Sequence, residues 1–169
     1  MNLSANLPQD ARALTCSEFL QHQNVSKLMQ KLSQATDALL LQLWNESGLH
    51  HNAALLAVGG YGRGELFPYS DIDILILLDD ESNSNNQHIP SNIEKFIARC
   101  WDSGLEIGSA VRSLSECLSE AAGDITIRTS VLEARPIGGN RGLFKHFKRN
   151  LEEAMEPKAF FQAKLLELQ

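Results

Sequence analysis

The sequence has few of the features that mark disulfide-rich, zinc-binding or membrane proteins. Its 169 residues include only three cysteines, far apart and without a Cys-x-x-Cys pair or Cys/His ligand spacing. This pattern argues against a disulfide framework or a zinc site and predicts reduced thiols. No apolar run reaches the roughly 18 residues of a membrane span, and the N-terminus lacks a signal-peptide layout. These absences predict a soluble, cytoplasmic protein with no membrane partner.

Positive charge is also scarce. Fifteen Lys and Arg residues face 21 Asp and Glu residues, which gives a formal net charge of -6. A general nucleic-acid binder would carry a basic face, so no nucleic-acid partner is predicted. A nucleotide substrate remains compatible with this charge, because a metal ion can neutralise a triphosphate locally. At 43% hydrophobic residues the chain can bury the core of one domain.

The hydrophobic pattern divides the chain into an N-terminal helical flank (residues 1–50), a core (residues 51–140) and a C-terminal helical region (residues 141–169). In the flank, apolar residues at three- and four-residue spacing predict a helix over about residues 17–47, broken near Asn24. The last helical pattern, interrupted at Pro157, reaches Gln169 without a stop signal. The chain is therefore expected to be a fragment, or to be followed by more protein.

The core is predicted to contain three strands, at residues 53–58, 71–78 and 105–113. A turn or short helix joins the first two strands, and the polar stretch 79–91 is predicted to be a mobile loop. A helix follows at residues 92–102, with Gly104 at its C-terminal end. After the third strand come a short helix or turn at 114–122 and a helix at 124–135, which ends at Gly138-Gly139.

The most informative stretch reads VGGYGRGELFPYSDIDILILL and begins at Val58. On a strand, Asp71 and Asp73 share one face, and their like charges are normally tolerated when a cation lies between them. Carboxylate oxygens suit Mg²⁺ or Mn²⁺. Gly59 and Gly60 provide backbone that a phosphate can approach closely. A plain turn and a solvated loop are the alternatives, but the buried apolar run after the carboxylates favours a metal-dependent phosphoryl or nucleotidyl transfer site.

Two-metal chemistry generally needs a third carboxylate from a neighbouring strand. Glu106, on the next predicted strand, is the leading candidate for that metal ligand. Asp124 is the alternative, although it is better explained as a helix cap that also touches the nucleotide.

Three further polar side chains are candidates for phosphate binding. Arg63 lies in the loop between the glycines and the carboxylates, where it can bind phosphate oxygens or pair with Glu65. Arg112 lies on the same face of the predicted strand as Glu106 and is a second candidate. Ser70, directly before Asp71, can donate to a phosphate or cap the strand.

Three longer segments resemble a known family. They read GGYGRGELFPYSDIDILIL, WDSGLEIGSAVRSLSECLSEAAGDITIRTSVLEAR and PKAFFQAKL. An apolar strand, Gly-Gly and then Asp-x-Asp resembles the DNA polymerase beta-like nucleotidyltransferase superfamily. Over about residues 15–169 the chain is similar to the N-terminal catalytic domain of bacterial PII uridylyltransferase/uridylyl-removing enzymes. The resemblance implies an α+β fold with a small mixed β-sheet flanked by helices.

The resemblance also implies a reaction, the transfer of UMP from UTP to a tyrosine of the PII nitrogen-signalling protein with release of pyrophosphate. It assigns triphosphate contacts to Gly59 and Gly60, and Mg²⁺ or Mn²⁺ to Asp71 and Asp73. Glu106 falls on the strand that carries the third carboxylate in relatives. The DITIRTSVLEAR segment is similar to one that contacts nucleotide in the tRNA nucleotidyltransferase branch.

Departures from the family pattern leave alternatives open. Ser109-Ala110 stands where a His-Ser pair is expected, and the family's HD hydrolase and ACT domains have no counterpart in these residues. The chain is therefore predicted to transfer UMP and not to remove it. The alternatives are an adenylyltransferase of the same superfamily acting on another protein or a small molecule, and a catalytically incomplete nucleotide-binding fragment. A Rossmann dinucleotide binder is disfavoured because GxGxxG spacing is missing.

Overall fold

A four-stranded mixed sheet organises the chain in the computed structural model, which describes Ser17, Leu20, residues 24–80 and residues 88–154. Several predictions lie outside the described residues: the irregular segment 1–15, Cys16, most of the polar loop (81–87) and the helix beyond residue 154 with Pro157. Among the helices in the described part of the chain, none combines the length and apolar character needed to span a bilayer.

The elements follow one another in the order α1 (Val25–Asn45), β1 (Ala53–Ala57), α2 (Gly59–Gly62), β2 (Ile72–Leu78), α3 (Ile89–Asp102), β3 (Ile107–Ser113), α4 (Leu114–Gly123), α5 (Ile125–Leu132), β4 (Arg135–Gly139) and α6 (Arg141–Ala154). The strand order is β3-β2-β1-β4. Strand β1 runs antiparallel to β2 and β4, whereas β2 and β3 are parallel and are connected through α3. The predicted mixed sheet flanked by helices is confirmed.

The two central strands are buried on both faces, which explains their almost continuous apolar sequences. One face of the sheet packs against α1 and α3, where Trp44 and Phe96 meet edge to face with ring centroids 5.1 Å apart. The other face packs against α4, α5 and α6, and Phe147 of α6 is fully buried there. Helices thus cover both faces, and each face has its own hydrophobic core.

Side-chain caps set where three helices begin. The Asn24 side chain accepts a hydrogen bond from the Lys27 N–H at 2.9 Å, which confirms the break predicted near Asn24. Ser113 and Glu116 form a capping box at the start of α4, with hydrogen bonds of 2.8 and 3.3 Å. Asp124 caps α5, as predicted.

The prediction for residues 124–139 is wrong in one respect. The helix ends at Leu132, and Arg135–Gly139 forms β4 on the free edge of β1 instead of continuing the helix to a Gly-Gly stop. A Cβ at Gly139, where φ is +87°, would lie 2.3 Å from the Ala53 carbonyl oxygen. Gly138-Gly139 therefore allows close packing of a strand.

The predicted loop 79–91 is also too long at its C-terminal end. Helix α3 begins at Ile89, with Pro90 in its first turn. Proline is tolerated there because the first N–H groups of a helix have no intrahelical partner. Residues 89–91 therefore belong to α3 and not to the predicted loop.

A half-buried polar cluster connects three elements beside the sheet. The Tyr61 hydroxyl of α2 donates to Asp37 of α1 at 2.5 Å, and the Arg135 guanidinium of β4 donates to the same carboxylate at 2.6 and 3.0 Å. The guanidinium also lies 5.4 Å from the centre of the Tyr61 ring. Burial, followed by the hydrogen bond to Asp37, raises the pKa of Tyr61. The phenol therefore stays protonated and serves as a donor.

Replacing Asp37 with Ala should lower the free energy of unfolding by about 2 kcal/mol, because it leaves the Tyr61 hydroxyl and the Arg135 charge without their shared acceptor. Urea denaturation measures this change. Glu46→Ala is the matched control. Glu46 forms a salt bridge with Arg99 at the exposed surface, and loss of this salt bridge should leave the free energy of unfolding unchanged. Equal stability of the two variants would contradict a structural role for the cluster.

Candidate active site

The two aspartates lie where β2 emerges from the core. Asp73 is exposed, whereas the other six residues of β2 are buried. Asp71 is also exposed and stands directly before the strand, which was predicted to begin at Asp71 but begins one residue later. The alternation of β2 puts both carboxylates on the face of Leu75 and Leu77, beyond the point where the helices cover that face.

The electrostatics of this pair suit a cation. Burial, followed by the negative charge of Asp71, raises the pKa of Asp73. Within the described residues, neither carboxylate forms an ion pair with a Lys, Arg or His side chain. Two adjacent oxygen donors with unbalanced negative charge match the preference of Mg²⁺ for carboxylate ligands. Asp71 and Asp73 therefore fit a divalent metal.

Strand β3 makes room for the Asp73 carboxylate with a glycine. Gly108 is the partner of Asp73 in the parallel register, and a Cβ at Gly108 would lie 2.6 Å from Asp73 Oδ1. Any other residue would force this carboxylate to move. Gly108 was not among the predicted site residues, although a glycine inside a strand is the usual signal of such a close approach.

The glycine turn is attached to the same strand. The Val58 N–H donates to the Asp73 carbonyl at 3.0 Å, so α2 begins beside the carboxylates. Gly59 has a φ of +59°, and a Cβ there would lie 3.5 Å from Asp73 Oδ2. The first N–H groups of a helical turn have no partner within it. The backbone of Gly59-Gly60 can therefore hold an anion next to Asp73.

The turn has little freedom to move away. A Cβ at Gly62 would lie 2.7 Å from the Glu133 carbonyl oxygen and 3.0 Å from that of Ala57. The helical turn thus packs by its backbone against the end of α5 and the end of β1. Together with the hydrogen bond of Tyr61 to Asp37, this contact fixes the position of the glycines.

Glu106, the first candidate for a third carboxylate, lies next to Asp71. It stands one residue before β3, and its carbonyl accepts the Ile72 N–H at 3.0 Å. Both residues line an open cleft of about 730 Å³, to which Trp101 also contributes. Within residues 24–80 and 88–154, however, no three His, Cys, Asp or Glu side chains gather as a ready metal-binding group.

Asp124, the alternative, is occupied as a helix cap. Its carboxylate accepts the N–H groups of Thr126 and Ile127 at 2.7 and 3.3 Å. It lies on the α4–α5 connection and does not line the cleft that holds Asp71 and Glu106. Of the two candidates, the structure brings Glu106 to Asp71.

The two candidate arginines are both engaged within the protein. Arg63 pairs with Glu65 at 2.8 Å and with Glu133 at 2.6 Å, and these two hydrogen bonds raise its pKa. Arg112 pairs with Glu120 at 2.8 Å. Either guanidinium would share or exchange these partners when an anion binds.

Ser70 adjoins the aspartate pair in the chain. It is partly exposed, and its N–H donates to the Phe67 carbonyl at 3.1 Å in the turn that precedes Asp71.

A more enclosed cavity of about 320 Å³ continues from Asp73 along the same face of the sheet. Val58, Leu75 and Ala110 contribute to its sheet side, and α4 and α5 provide the opposite wall. The carboxylate pair therefore lies between this cavity and the open cleft of Asp71 and Glu106.

Asp71→Asn should lower the pKa of Asp73 towards its ordinary value, because the substitution removes the nearby negative charge and leaves only the effect of burial. Carboxyl ¹³C NMR titration measures the shift. Glu94→Gln, an exposed substitution on α3, serves as the control and should leave the Asp73 titration in place. An unchanged Asp73 titration in Asp71→Asn would show that the two carboxylates do not interact.

Two curated relatives are similar to almost the whole of this chain. The bifunctional uridylyltransferase/uridylyl-removing enzyme of Burkholderia thailandensis is 49% identical over 158 residues, 94% of this chain, and that of Ralstonia nicotianae is 46% identical over 157 residues, 93% of this chain. The chain spans 18% of the length of each of these curated relatives.

Two solved structures align with most of this chain. The MntA–HpeT toxin–antitoxin aligns with a TM-score of 0.47 at 12% identity, covering 78% of this chain and 97% of the other. A toxin–antitoxin crystallised with AMP-PNP aligns with a TM-score of 0.45 at 14% identity, covering 75% and 93%.

The family comparison covers the site itself. The sequence model of the nucleotidyltransferase domain matches residues 40–129, just over half of the chain. The matched region runs from the end of α1 to α5 and includes the glycine turn, the aspartate pair and β3. The chain therefore belongs to the nucleotidyltransferase domain family.

Proposed function

We propose that this domain transfers UMP from UTP to a tyrosine hydroxyl of the PII signalling protein and releases pyrophosphate. The observation that carries the proposal is the pair Asp71 and Asp73, exposed and without a cationic partner among the described residues, beside the backbone of the glycine turn. The choice of UMP is supported by relatives that are named uridylyltransferases and are up to 49% identical to this chain.

In this proposal Asp71 and Asp73 hold Mg²⁺ or Mn²⁺, with Glu106 as the third carboxylate because it lies beside Asp71 in the open cleft. When bound, the metal supplies charge neutralisation for the triphosphate and lowers the pKa of the acceptor hydroxyl. Glu106 needs only to turn its exposed side chain towards the pair, since its backbone is already hydrogen-bonded to Ile72.

The glycine turn binds the triphosphate. Gly59 and Gly60 would offer their backbone N–H groups to the phosphates, since Gly59 lies beside Asp73 and the packed position of Gly62 holds the turn in place before the substrate arrives. Arg63 reaches phosphate oxygens by exchanging Glu65 or Glu133 for them. Ser70 donates a hydrogen bond to the same phosphates.

The chemical step exchanges one P–O bond for another. The tyrosine oxygen forms a bond to the α-phosphorus of UTP, and the bond from that phosphorus to the α–β bridging oxygen breaks. The electron pair of the broken bond leaves with pyrophosphate, and the hydroxyl proton passes to solvent. The open cleft at Asp71 is the side from which a protein acceptor can reach the α-phosphate, because it is larger and more open than the cavity on the other side of the pair.

The double substitution Asp71→Asn/Asp73→Asn should reduce transfer by about 1,000-fold or more, because both proposed metal ligands lose their charge. The assay incubates the chain with Mg²⁺, PII protein and radiolabelled UTP or ATP. Far-UV circular dichroism and the melting temperature should stay close to wild type, since both carboxylates lie outside the core.

Glu152→Gln/Glu153→Gln, an exposed acidic pair on α6, is the matched control for lost charge. Label from UTP on PII in wild type and control, but not in the double Asn variant, supports the proposal. Label from ATP instead would identify an adenylyltransferase. Full activity of the folded double Asn variant would rule out this site.

Gly108→Ala should lower kcat by about 100-fold while the protein stays folded, because the new methyl group displaces the Asp73 carboxylate from its position over β3. Gly123→Ala is the matched control, since a Cβ there meets no atom within 4 Å. Wild-type kcat in Gly108→Ala would show that the precise position of Asp73 is unimportant for transfer.

A further inference from the structure

The cavity of about 320 Å³ lies directly beside the proposed phosphate site. In the register of β2 and β3, the pair Asp73–Gly108 is followed on the same face by Leu75–Ala110 and then by Leu77–Arg112. Leu75 and Ala110 line the cavity, so it begins one pair, about 7 Å, from Asp73. If the α-phosphate of a nucleotide lies at Asp73, the group attached to the far side of its ribose would enter this cavity.

The walls of the cavity are mainly apolar. Leu75 is buried, and Val131 of α5 and Cys117 of α4 lie among the lining residues. Burial raises the pKa of the Cys117 thiol to about 12, so this side chain is neutral and acts as an apolar surface. An apolar cavity with a few convergent polar groups is the usual form of a small-molecule site.

The polar groups of the cavity come from three elements. Arg112 of β3 and Glu120 of α4 form a partly exposed pair, in which the Arg112 Nε lies 2.8 Å from Glu120 Oε1. Arg112 Nη1 donates to the Val111 carbonyl at 2.8 Å, which fixes the guanidinium plane. Thr126 and Ser130 of α5 add hydroxyl groups. A guanidinium donor and a carboxylate acceptor therefore stand side by side in the wall.

We propose that this cavity binds the nucleobase of the donor nucleotide and that Arg112 and Glu120 read its edge. This inference rests on the proposed function, since it assumes an α-phosphate at Asp73. Uracil presents a carbonyl acceptor, O4, next to an N–H donor, N3, and so complements Arg112 and Glu120. Cytosine presents the two in the opposite order, which places a donor against Arg112 and an acceptor against Glu120.

The same geometry gives Arg112 a different role from the phosphate contact that sequence suggests. Arg112 lies four residues along β3 from Gly108, a distance of about 13 Å. The proposed triphosphate site is at the glycine turn, next to Gly108 and at the opposite end of β3 from Arg112. Arg112 thus stands at the base end of a nucleotide whose phosphates lie at Gly59 and Gly60.

Ser130→Trp tests occupancy of the cavity, because the indole would fill it. Calorimetric titration with Mg²⁺ present compares UTP with inorganic tripolyphosphate, which has no base. We expect the Kd for UTP to rise by about tenfold or more and the Kd for tripolyphosphate to stay unchanged. Thr129→Trp, at a neighbouring exposed position of α5 outside the lining, should bind both ligands as wild type does.

Glu120→Gln tests base reading without a change of shape, so it keeps the proposal testable if Ser130→Trp does not fold. The glutamine amide can donate to N3 of cytosine, so the preference for UTP over CTP, measured as the ratio of their Kd values, should fall by about fivefold or more. Ser119→Gln, at the neighbouring exposed position of α4, is the control and should keep the wild-type ratio. A wild-type ratio in Glu120→Gln would overturn the reading role.

These binding measurements separate the base site from the proposed reaction. UTP binding that depends on Ser130 and Glu120 in a chain that transfers no nucleotide would support the base site and contradict the proposed function. Transfer of nucleotide to PII, together with unchanged UTP binding in a folded Ser130→Trp variant, would support the proposed function and contradict the base site. In that case the base lies elsewhere and the cavity is only a packing gap.

Discussion

Burial of β2 on both faces is the constraint on which the rest of the structure depends. From Ile74 to Leu78 the strand lies between two hydrophobic cores, and a carboxylate placed there would lose its hydration without compensation. Charge is acceptable only where the strand emerges, at Asp71 and Asp73. Because β3 runs parallel to β2 and begins at the same edge, Glu106 and Gly108 arrive at this point as well. The position of the candidate site follows from where the cores end.

The glycine turn depends on the same edge but is stabilised from a different direction. Its backbone is hydrogen-bonded to β2 through Val58, and Gly62 packs it against α5. Tyr61 connects it to Asp37 of α1 and to Arg135 of β4, which are distant in sequence. A loop that binds an anion through backbone N–H groups must be held in place beforehand, since those groups are useful only in a fixed geometry. The buried side of the turn supplies this rigidity, and Gly59 and Gly60 remain partly exposed, as the proposed phosphate contact needs.

The cavity beyond Asp73 and the cleft beyond Asp71 differ in size and openness, as a reaction between a small donor and a larger acceptor requires. The cavity beyond Asp73 is smaller, less open and mainly apolar, which suits a small planar group. The cleft beyond Asp71 is larger and more open, with carboxylates and the exposed Trp101 around it, which suits a segment of another protein. In-line displacement needs the donor and the acceptor to approach one phosphorus from different sides. Asp71 and Asp73 lie between the cavity and the cleft, which matches that geometry.

The sequence alone determined the parts of this protein that depend on local order along the chain. Period-two spacing placed Asp71 and Asp73 on one face of a strand, and helical spacing indicated a break near Asn24. Capping chemistry located Asp124 at a helix start. The glycine pair before an apolar strand indicated the transfer chemistry, and the family of the chain agrees with it. These signals depend on residues within a few positions of one another, so they can be recognised before any folding is known.

Only the tertiary structure decided the features that depend on which segments meet. The Arg135–Gly139 strand was missed because its glycines signal a helix end in sequence, whereas their packing against Ala53 and Trp44 exists only in the folded chain. Gly108 became significant once the parallel register placed it under Asp73. The register also separates Arg112 from Gly108 and from the glycine turn, a distance that the linear sequence does not show. Pairing between strands distant in the chain sets these distances, and a linear pattern does not contain them.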